Sequence, residues 1–290
     1  TRYGRFLHMD GVLRLVQRCW RPLYRAGRPI RRWRDRTLKR RIPPELLLDR
    51  QRRAFAALGW SYDDAIGSVR SVVGDARDAS SHRSDHYAVF AAIARERQGR
   101  ISRILEIGTS SGEFSVFLAT IFPDAEVLTI DLPSDDHRFF NATVTDRTID
   151  VSSLRGQVAA RDALLASRPN ISFRAMNSLD LCLRGEPEFD LVWVDGDHTF
   201  PIVAIDVANA LRLTRAGGLI VCDDVARGPR PVLTAPRWGY RETEDTISAL
   251  QSAGLASVQY VLKRTTPGDN LDARRTKYLA IIRPTEKSRA

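Results

Sequence analysis

The chain has 290 residues, 43% of them hydrophobic and 28% charged, and a formal net charge of +10; this is enough apolar material for a sizeable core in one large domain or two small ones. Its apolar runs are short and interrupted, far below the roughly 20 residues that a membrane span needs, and no charged-then-apolar leader opens the sequence. Cys19, Cys182 and Cys222 form neither a paired framework nor a metal spacing, so free thiols in a reducing, cytoplasmic compartment are expected.

The charge is concentrated. Residues 1–53 hold 17 Lys and Arg against Asp10, Asp35, Glu45 and Asp49, a net charge of +13, whereas the remainder carries −3. Within this segment Val12, Leu13, Val16, Cys19, Trp20, Leu23 and Tyr24 recur near a helical period among Arg14, Arg18, Arg21 and Arg25, with Pro22 as a break. Three readings are open for residues 12–41: packing on the parent domain or a sister subunit, peripheral attachment to an anionic membrane, or contact with nucleic acid. A second helix is expected at 44–59, with Pro44 in its first turn and Gly59 at its end. The expected organisation is a basic helical extension over 1–83 and a main domain over 84–290.

From residue 84 strands and helices alternate. "SDHYAVFAAIARERQ" reads as a helix capped by Ser84. "RILEIG" is a short buried strand followed by the helix "GEFSVFLATIF", and "EVLTID" is a second strand ending at Asp131. After a loop come a helix over 151–167, a third strand "ISFRAM", a fourth "FDLVWVD" with the helix "FPIVAIDVANALRLT", and a fifth "GGLIVCDDV". A helix around "TEDTISALQSAG" precedes "SVQYVLKR" and "KYLAIIRP", which read as an antiparallel terminal pair. The pattern predicts an α/β, Rossmann-like, doubly wound and mostly parallel seven-stranded sheet, covered on both faces.

In such a sheet ligands lie beyond the carboxyl ends of the strands. The first strand offers Glu106, Gly108, Thr109, Ser110, Ser111 and Gly112, a tight turn whose small residues let the backbone approach a ligand. Asp131 follows Gly108 by 23 residues, near the spacing at which a carboxylate receives the ribose hydroxyls of an adenosine-type cofactor. The dinucleotide pattern fails, because its third glycine position is Glu113, which disfavours a nearby pyrophosphate.

Together "ILEIGTSSGEFSVFLA", "VLTIDLP", "FDLVWVDGDH" and "AGGLIVCDDV" resemble a class I S-adenosylmethionine-dependent methyltransferase from about residue 84 onward. The family's first motif, E/D-x-G-x-G-x-G, is matched by Glu106, Gly108, Ser110 and Gly112, with Ser110 replacing the middle glycine. The resemblance implies that Glu106 and the turn Gly108, Thr109, Ser110 and Gly112 embrace the methionine part of S-adenosyl-L-methionine. It also implies that Asp131 receives the ribose, that Asn177 and Ser178 lie near the adenine, and that Asp195 borders the cofactor.

The fourth strand ends at Asp195 and the fifth in Asp223 and Asp224. Neighbouring strands lie about 5 Å apart, so three carboxylates converge at one edge, which is costly unless a cation or a buried base sits among them. An all-oxygen set suits a hard divalent cation such as Mg²⁺, and the chain resembles the metal-dependent O-methyltransferases in having acids at these positions; N-caps or turn carboxylates are the alternative. His198, three residues past Asp195, is either a capping residue or the base that takes a hydroxyl proton, with Asp195 beside it in the catalytic group. Asp197 orients His198 or starts the next helix.

The resemblance implies Mg²⁺-assisted transfer of a methyl group to a small hydroxylated acceptor such as a sugar, glycolipid or natural product, with an RNA-directed methyltransferase using the basic N-terminus or a non-catalytic S-adenosylmethionine-binding module as the alternatives. It also implies homo-oligomer contacts through the N-terminal helices. Base N-methylation would call for Asn/Asp-Pro-Pro-aromatic after the fourth strand, and Asp195-Gly196-Asp197-His198 stands there instead, which argues against nucleic acid. The loops over 133–148 and 226–244, the second with Arg227, Arg230, Arg237 and Trp238, are candidates for the acceptor pocket.

Overall fold

The computed structural model describes residues 42–74, 84–136, 151–228 and 241–289 apart from 272, 274 and 275, together with 35, 37 and 38. The basic pattern over 12–41 lies outside the described residues except at 35, 37 and 38, as do most of the 133–148 loop and Arg230, Arg237 and Trp238.

Seven helices of eight or more residues stand among the described residues: α1 (Pro44–Ala56), α2 (Tyr62–Val73), α3 (His86–Glu96), α4 (Glu113–Ile121), α5 (Val151–Ala166), α6 (Ile202–Leu213) and α7 (Glu242–Ser252). The strands are β1 (Arg103–Ile107), β2 (Glu126–Asp131), β3 (Ile171–Ala175), β4 (Phe189–Val194), β5 (Thr214–Ala226), β6 (Ala256–Leu262) and β7 (Lys277–Pro284). They form one sheet in the order β3-β2-β1-β4-β5-β7-β6. β7 is antiparallel to both β5 and β6, and the other pairings are parallel. The alternating pattern therefore produced the expected doubly wound sheet with its antiparallel terminal pair.

The period-two alternation of β1 decides which face each residue enters. Ile104 joins Leu191, Trp193 and Val221 under α1 to α4, whereas Leu105 and Ile107 join Val192, Val194 and Ile220 under α6 and α7. β4 is buried along its whole length, which is why "FDLVWV" is apolar almost throughout: it lies at the centre with both faces covered. Its one charge, Asp190, earns its place at the strand start. Asp190 Oδ2 accepts from the Ser102 and Arg103 amides at 2.8 and 2.9 Å, and Oδ1 pairs with Arg215 at 2.9 Å. These contacts tie the beginnings of β1, β4 and β5 together at the end opposite the site.

The structure differs from the sequence reading in four places. Helix α2 was not anticipated, although Ser61 caps it by accepting from the Asp64 amide and Asp63 and Asp64 occupy its first turn. Helix α3 is preceded by Asp85 rather than Ser84 at its N-cap, because the Ser84 hydroxyl is turned to His86 Nδ1 at 2.7 Å. Helix α1 ends at Ala56, before Gly59. Strand β5 begins at Thr214, immediately after α6, because Thr214 pairs with Phe189 across a register shift.

Residues 44–73 share the core of the sheet: Phe55, Tyr62, Ala65 and Val69 are buried in the same cluster as Trp193 and Ile281. Buried Gln51 makes the junction specific. Its amide donates to the Leu262 carbonyl and to Asp85 Oδ2, both at 2.9 Å, and its carbonyl accepts from the Leu262 amide at 2.9 Å. Tyr62 donates to the other Asp85 oxygen at 3.1 Å. The end of β6 is thereby clamped by α1.

Candidate active site

The sheet reverses its strand order between β1 and β4, and a crevice at that switch point is where a ligand is expected. Gly108 ends β1 there with φ 103°. A side chain at this position would place its Cβ 2.3 Å from the Asp195 carbonyl oxygen, so only glycine lets the β1 turn lie against the end of β4. The Asp195 amide donates to the Ile107 carbonyl at 2.9 Å, and the Gly108 amide to that of Ile130. The β1, β2 and β4 ends are therefore fastened by backbone alone. Gly112, with φ 78°, caps the start of α4, where an added Cβ would stand 3.0 Å from the Leu165 side chain.

The turn is held from below by buried hydroxyls. Thr109 Oγ1 lies 2.6 Å from Thr129 Oγ1, and Ser115 on α4 donates to Glu106 Oε2. Glu106 is 1% exposed, and burial pushes its carboxyl up to about 8 against the opposing hydrogen bonds from Ser115 and Thr129. Asp131 accepts from the Ser110 amide and its neighbour's amide at Leu132, both at 2.8 Å. Its carboxylate is thus held at the rim of the turn, with lone pairs left for a diol. Asn177 accepts from the Leu179 amide to cap a short 3₁₀ turn (Ser178–Leu183), and the Ser178 carbonyl accepts from Asn209. These two residues follow β3, on the flank of the crevice away from β4.

On the other flank stand the acids. His198 Nε2 is 3.4 Å from Asp195 Oδ1. Ligand atoms of Asp195, His198 and Asp223 all lie within 4.8 Å of one another. Removal from water and then the charge of Asp223 push Asp195 up to about 7, opposed by His198 and Lys263. Burial works against a charged His198, but its hydrogen bond to Asp195 and the surrounding carboxylates outweigh it and raise the imidazole above its ordinary value. Asp197 accepts from the Thr199 amide and hydroxyl at 2.8 and 2.7 Å, shaping the turn into α6. His86 and Phe114 pack beside Trp193, with ring centroids 5.5 and 5.6 Å from its own. They form an aromatic wall near the acids.

A β-bulge brings Asp223 and Asp224 to the same side. Cys222 pairs with Ala280 and Val225 with Tyr278, so two residues of β5 oppose one of β7, and Asp224 takes φ 52°. Successive strand residues would otherwise point to opposite faces. Lys263, just past the end of β6, reaches over β7 to place Nζ 2.5 Å from Asp223 Oδ2 and against Asp224 Oδ1, and Lys277 takes Asp224 Oδ2. Burial alone would push Asp223 up, but Lys263 overrides it and holds Asp223 below the usual carboxylate range. Asp224 is lowered as well, the two lysines outweighing burial and its neighbour's charge.

This arrangement tests the expected metal set. Of Asp195, Asp223 and Asp224, the first two converge with His198, but both oxygens of Asp224 and one of Asp223 already serve ammonium groups. Asp223 Oδ1 has no hydrogen-bond partner. Lys263 and Lys277 thus occupy three of the four oxygens of Asp223 and Asp224, so a divalent cation would have to displace an ammonium to reach the expected set.

The sequence reading missed Lys263, Lys277 and Asp206. Lys263, just past the end of β6, sits opposite Lys277 at the start of β7, and their one local trace is a Lys at that end of each terminal strand. Asp206, on α6, is buried beneath Gly196, whose Cβ would stand 3.2 Å from its Oδ2, and burial pushes its carboxyl up to about 6. A carboxylate in the second turn of an amphipathic helix carries no sequence signal that it faces inward.

Residues 105–225 match a family model described as a methyltransferase domain. A catechol O-methyltransferase from Niastella koreensis is 27% identical over 172 residues, which cover 59% of this chain and 69% of that protein. A proposed caffeoyl-CoA O-methyltransferase from Staphylococcus aureus has a similar structure, with a TM-score of 0.50 at 16% identity over 75% of this chain and 92% of that one. An O-methyltransferase from Bacillus cereus in complex with S-adenosylhomocysteine aligns with a TM-score of 0.47 at 16% identity, covering 77% and 90%. At these identities the structural likeness is one of fold. No helix among the described residues is long and apolar enough to cross a membrane.

Proposed function

We propose that this chain, whose residues 105–225 match a methyltransferase-domain model, is a class I S-adenosylmethionine-dependent methyltransferase that methylates a hydroxyl oxygen of a small acceptor bound over the ends of β4 and β5. The observation that carries this reading is the His198–Asp195 pair, 3.4 Å apart and directly against the Gly108 turn. An imidazole beside the cofactor turn is suited to take a hydroxyl proton as the oxygen attacks. The oxygen forms a bond to the sulfonium methyl carbon, the carbon–sulfur bond breaks with its electron pair going to sulfur, and S-adenosylhomocysteine and a methyl ether result.

Each residue has a share in this reading. Gly108, Thr109, Ser110 and Gly112 shape the seat of the methionine part, with Glu106 beneath them as a buried, protonated support at neutral pH. Asp131 receives the ribose hydroxyls, and Asn177 and Ser178 border the adenine. Asp195 holds the imidazole and stabilises it once it is charged. Much of the acceleration is attributable to position, since holding reactants in an attack geometry is worth several powers of ten. No step passes through a metal.

The test is transfer of labelled methyl from S-adenosylmethionine to a panel of sugar, polyketide and phenolic acceptors, with the product's linkage read by mass spectrometry. A methyl ether formed by the wild-type chain and nearly lost in His198→Gln is expected. Label appearing on nitrogen, or on RNA in preference to every small hydroxylated acceptor, would overturn the reading.

A further inference from the structure

The carboxylates at the ends of β4 and β5 meet a cation that belongs to the chain itself. Lys263 Nζ bridges Asp223 and Asp224, with side-chain exposures of 13% for the lysine and 3% for Asp223, so the contact is withdrawn from water. The lysine is not a surface residue laid over the cluster, because its main chain is pinned on both sides. Its amide donates to the Lys277 carbonyl at 2.9 Å, and its carbonyl accepts from the Asp85 amide at 2.7 Å. The preceding Leu262 is held through both backbone groups by Gln51. The bulge that turns Asp224 into the left-handed region aims a second carboxylate at the same ammonium.

We propose that Lys263 takes the place of a divalent cation in the Asp195–Asp223–Asp224 cluster, so that this chain binds no metal there and works with a built-in counter-charge. The inference rests on the reading of this pocket as the methyl-transfer site. Its electrostatic basis is simple. Lys263 and Lys277 already offset two of the three carboxylates, and a divalent ion added to them would leave an uncompensated positive charge in a poorly solvated site. Removing Lys263 reverses the balance. The cluster becomes a surplus of carboxylate oxygens facing one ammonium, the donor set that hard divalent ions prefer.

The experiment measures Mn²⁺ binding by electron paramagnetic resonance on the full chain, for the wild type, Lys263→Met, and Lys263→Met combined with Asp223→Asn. S-adenosylhomocysteine binding by calorimetry serves as the check of folding. The wild type is expected to show no stoichiometric Mn²⁺. Lys263→Met should bind one ion per chain at least about tenfold more tightly than the wild type, and the added Asp223→Asn should abolish that gain. Wild-type binding of one Mn²⁺ that Asp223→Asn removes would overturn the proposal, as would a folded Lys263→Met that binds Mn²⁺ no better than the wild type. Should Lys263→Met fail to fold, Lys263→Gln replaces it; should both fail, the wild-type measurement decides alone.

A second arm follows methyl transfer by the wild type in excess chelator. An unchanged rate is expected, and a rate lost to chelator and restored by Mg²⁺ would count against the proposal. Absence of transfer to any hydroxyl would defeat the functional reading while leaving the Mn²⁺ result to judge the lysine.

Discussion

Gly108→Ala probes the joint on which the whole pocket depends. The new Cβ would stand 2.3 Å from the Asp195 carbonyl oxygen and 2.7 Å from its carbonyl carbon, whereas a comfortable contact is about 3.5 Å. Both obstacles are backbone, so β1 and β4 must part by roughly 1 Å. The φ of 103° adds strain of about 1–3 kcal/mol for a residue with a side chain, and overpacking adds about 1–3 kcal/mol. A loss of ~2–6 kcal/mol is expected, a substantial part of the ~5–15 kcal/mol that a domain has. Urea denaturation reads this as a lower midpoint with an unchanged slope, and calorimetry with S-adenosylhomocysteine should show affinity at least about tenfold weaker. Gly67→Ala is the control: it lies within α2 with nothing within 4 Å of the added carbon and should stabilise by about 0.4–1 kcal/mol. Stability within about 0.5 kcal/mol of wild type together with unaltered affinity in Gly108→Ala would refute the claim that this turn leans on the end of β4.

Three further outcomes follow from the site. His198→Gln should slow methyl transfer by about 10²–10⁴-fold with S-adenosylhomocysteine affinity retained. Because the wild-type imidazole is raised above its ordinary value and must be neutral to accept a proton, the wild-type rate should climb with pH through that raised value while the variant's profile flattens. Glu106 has a folded-state carboxyl raised to about 8, so its contribution to stability is complete below its unfolded value and is lost as pH rises through about 8. The urea midpoint of Glu106→Gln should therefore fall less between about pH 5 and pH 8 than that of the wild type, and an equal slope would place the carboxyl in a more solvated state than its burial implies. Asp190→Ala strips the Ser102 and Arg103 amides and Arg215 of an acceptor and should cost about 2–4 kcal/mol in urea. It lies at the far end of the strands, so cofactor affinity should not change; a weakened cofactor with intact stability would contradict that placement.

The strand alternation and the turn after β1 were legible because they are local. The buried runs "RILEI" and "FDLVWV" and the small residues after β1 each express a constraint acting within a few residues, and such constraints leave marks in composition. Helix α2 was overlooked even so, although Tyr62, Ala65, Ile66 and Val69 in "YDDAIGSVRSVV" recur at helical spacing and form the face that meets the core. The sequence also pointed to three acids converging where strands end, and to the need for a cation or base among them.

What it could not supply was the identity of that cation. Lys263 follows Asp223 by 40 positions, just past a strand separated from β5 by the later-arriving β7, and no spacing rule reaches across an inserted strand. Nor does any pattern announce that a bulge turns Asp224 to the side of Asp223, because the bulge arises from the register of β5 on β7. The chain by itself determined which chemical groups end the strands. Tertiary structure decided which of them share a charge, because an ion pair depends on distance in space and on lost solvent, and both appear only once the sheet has closed.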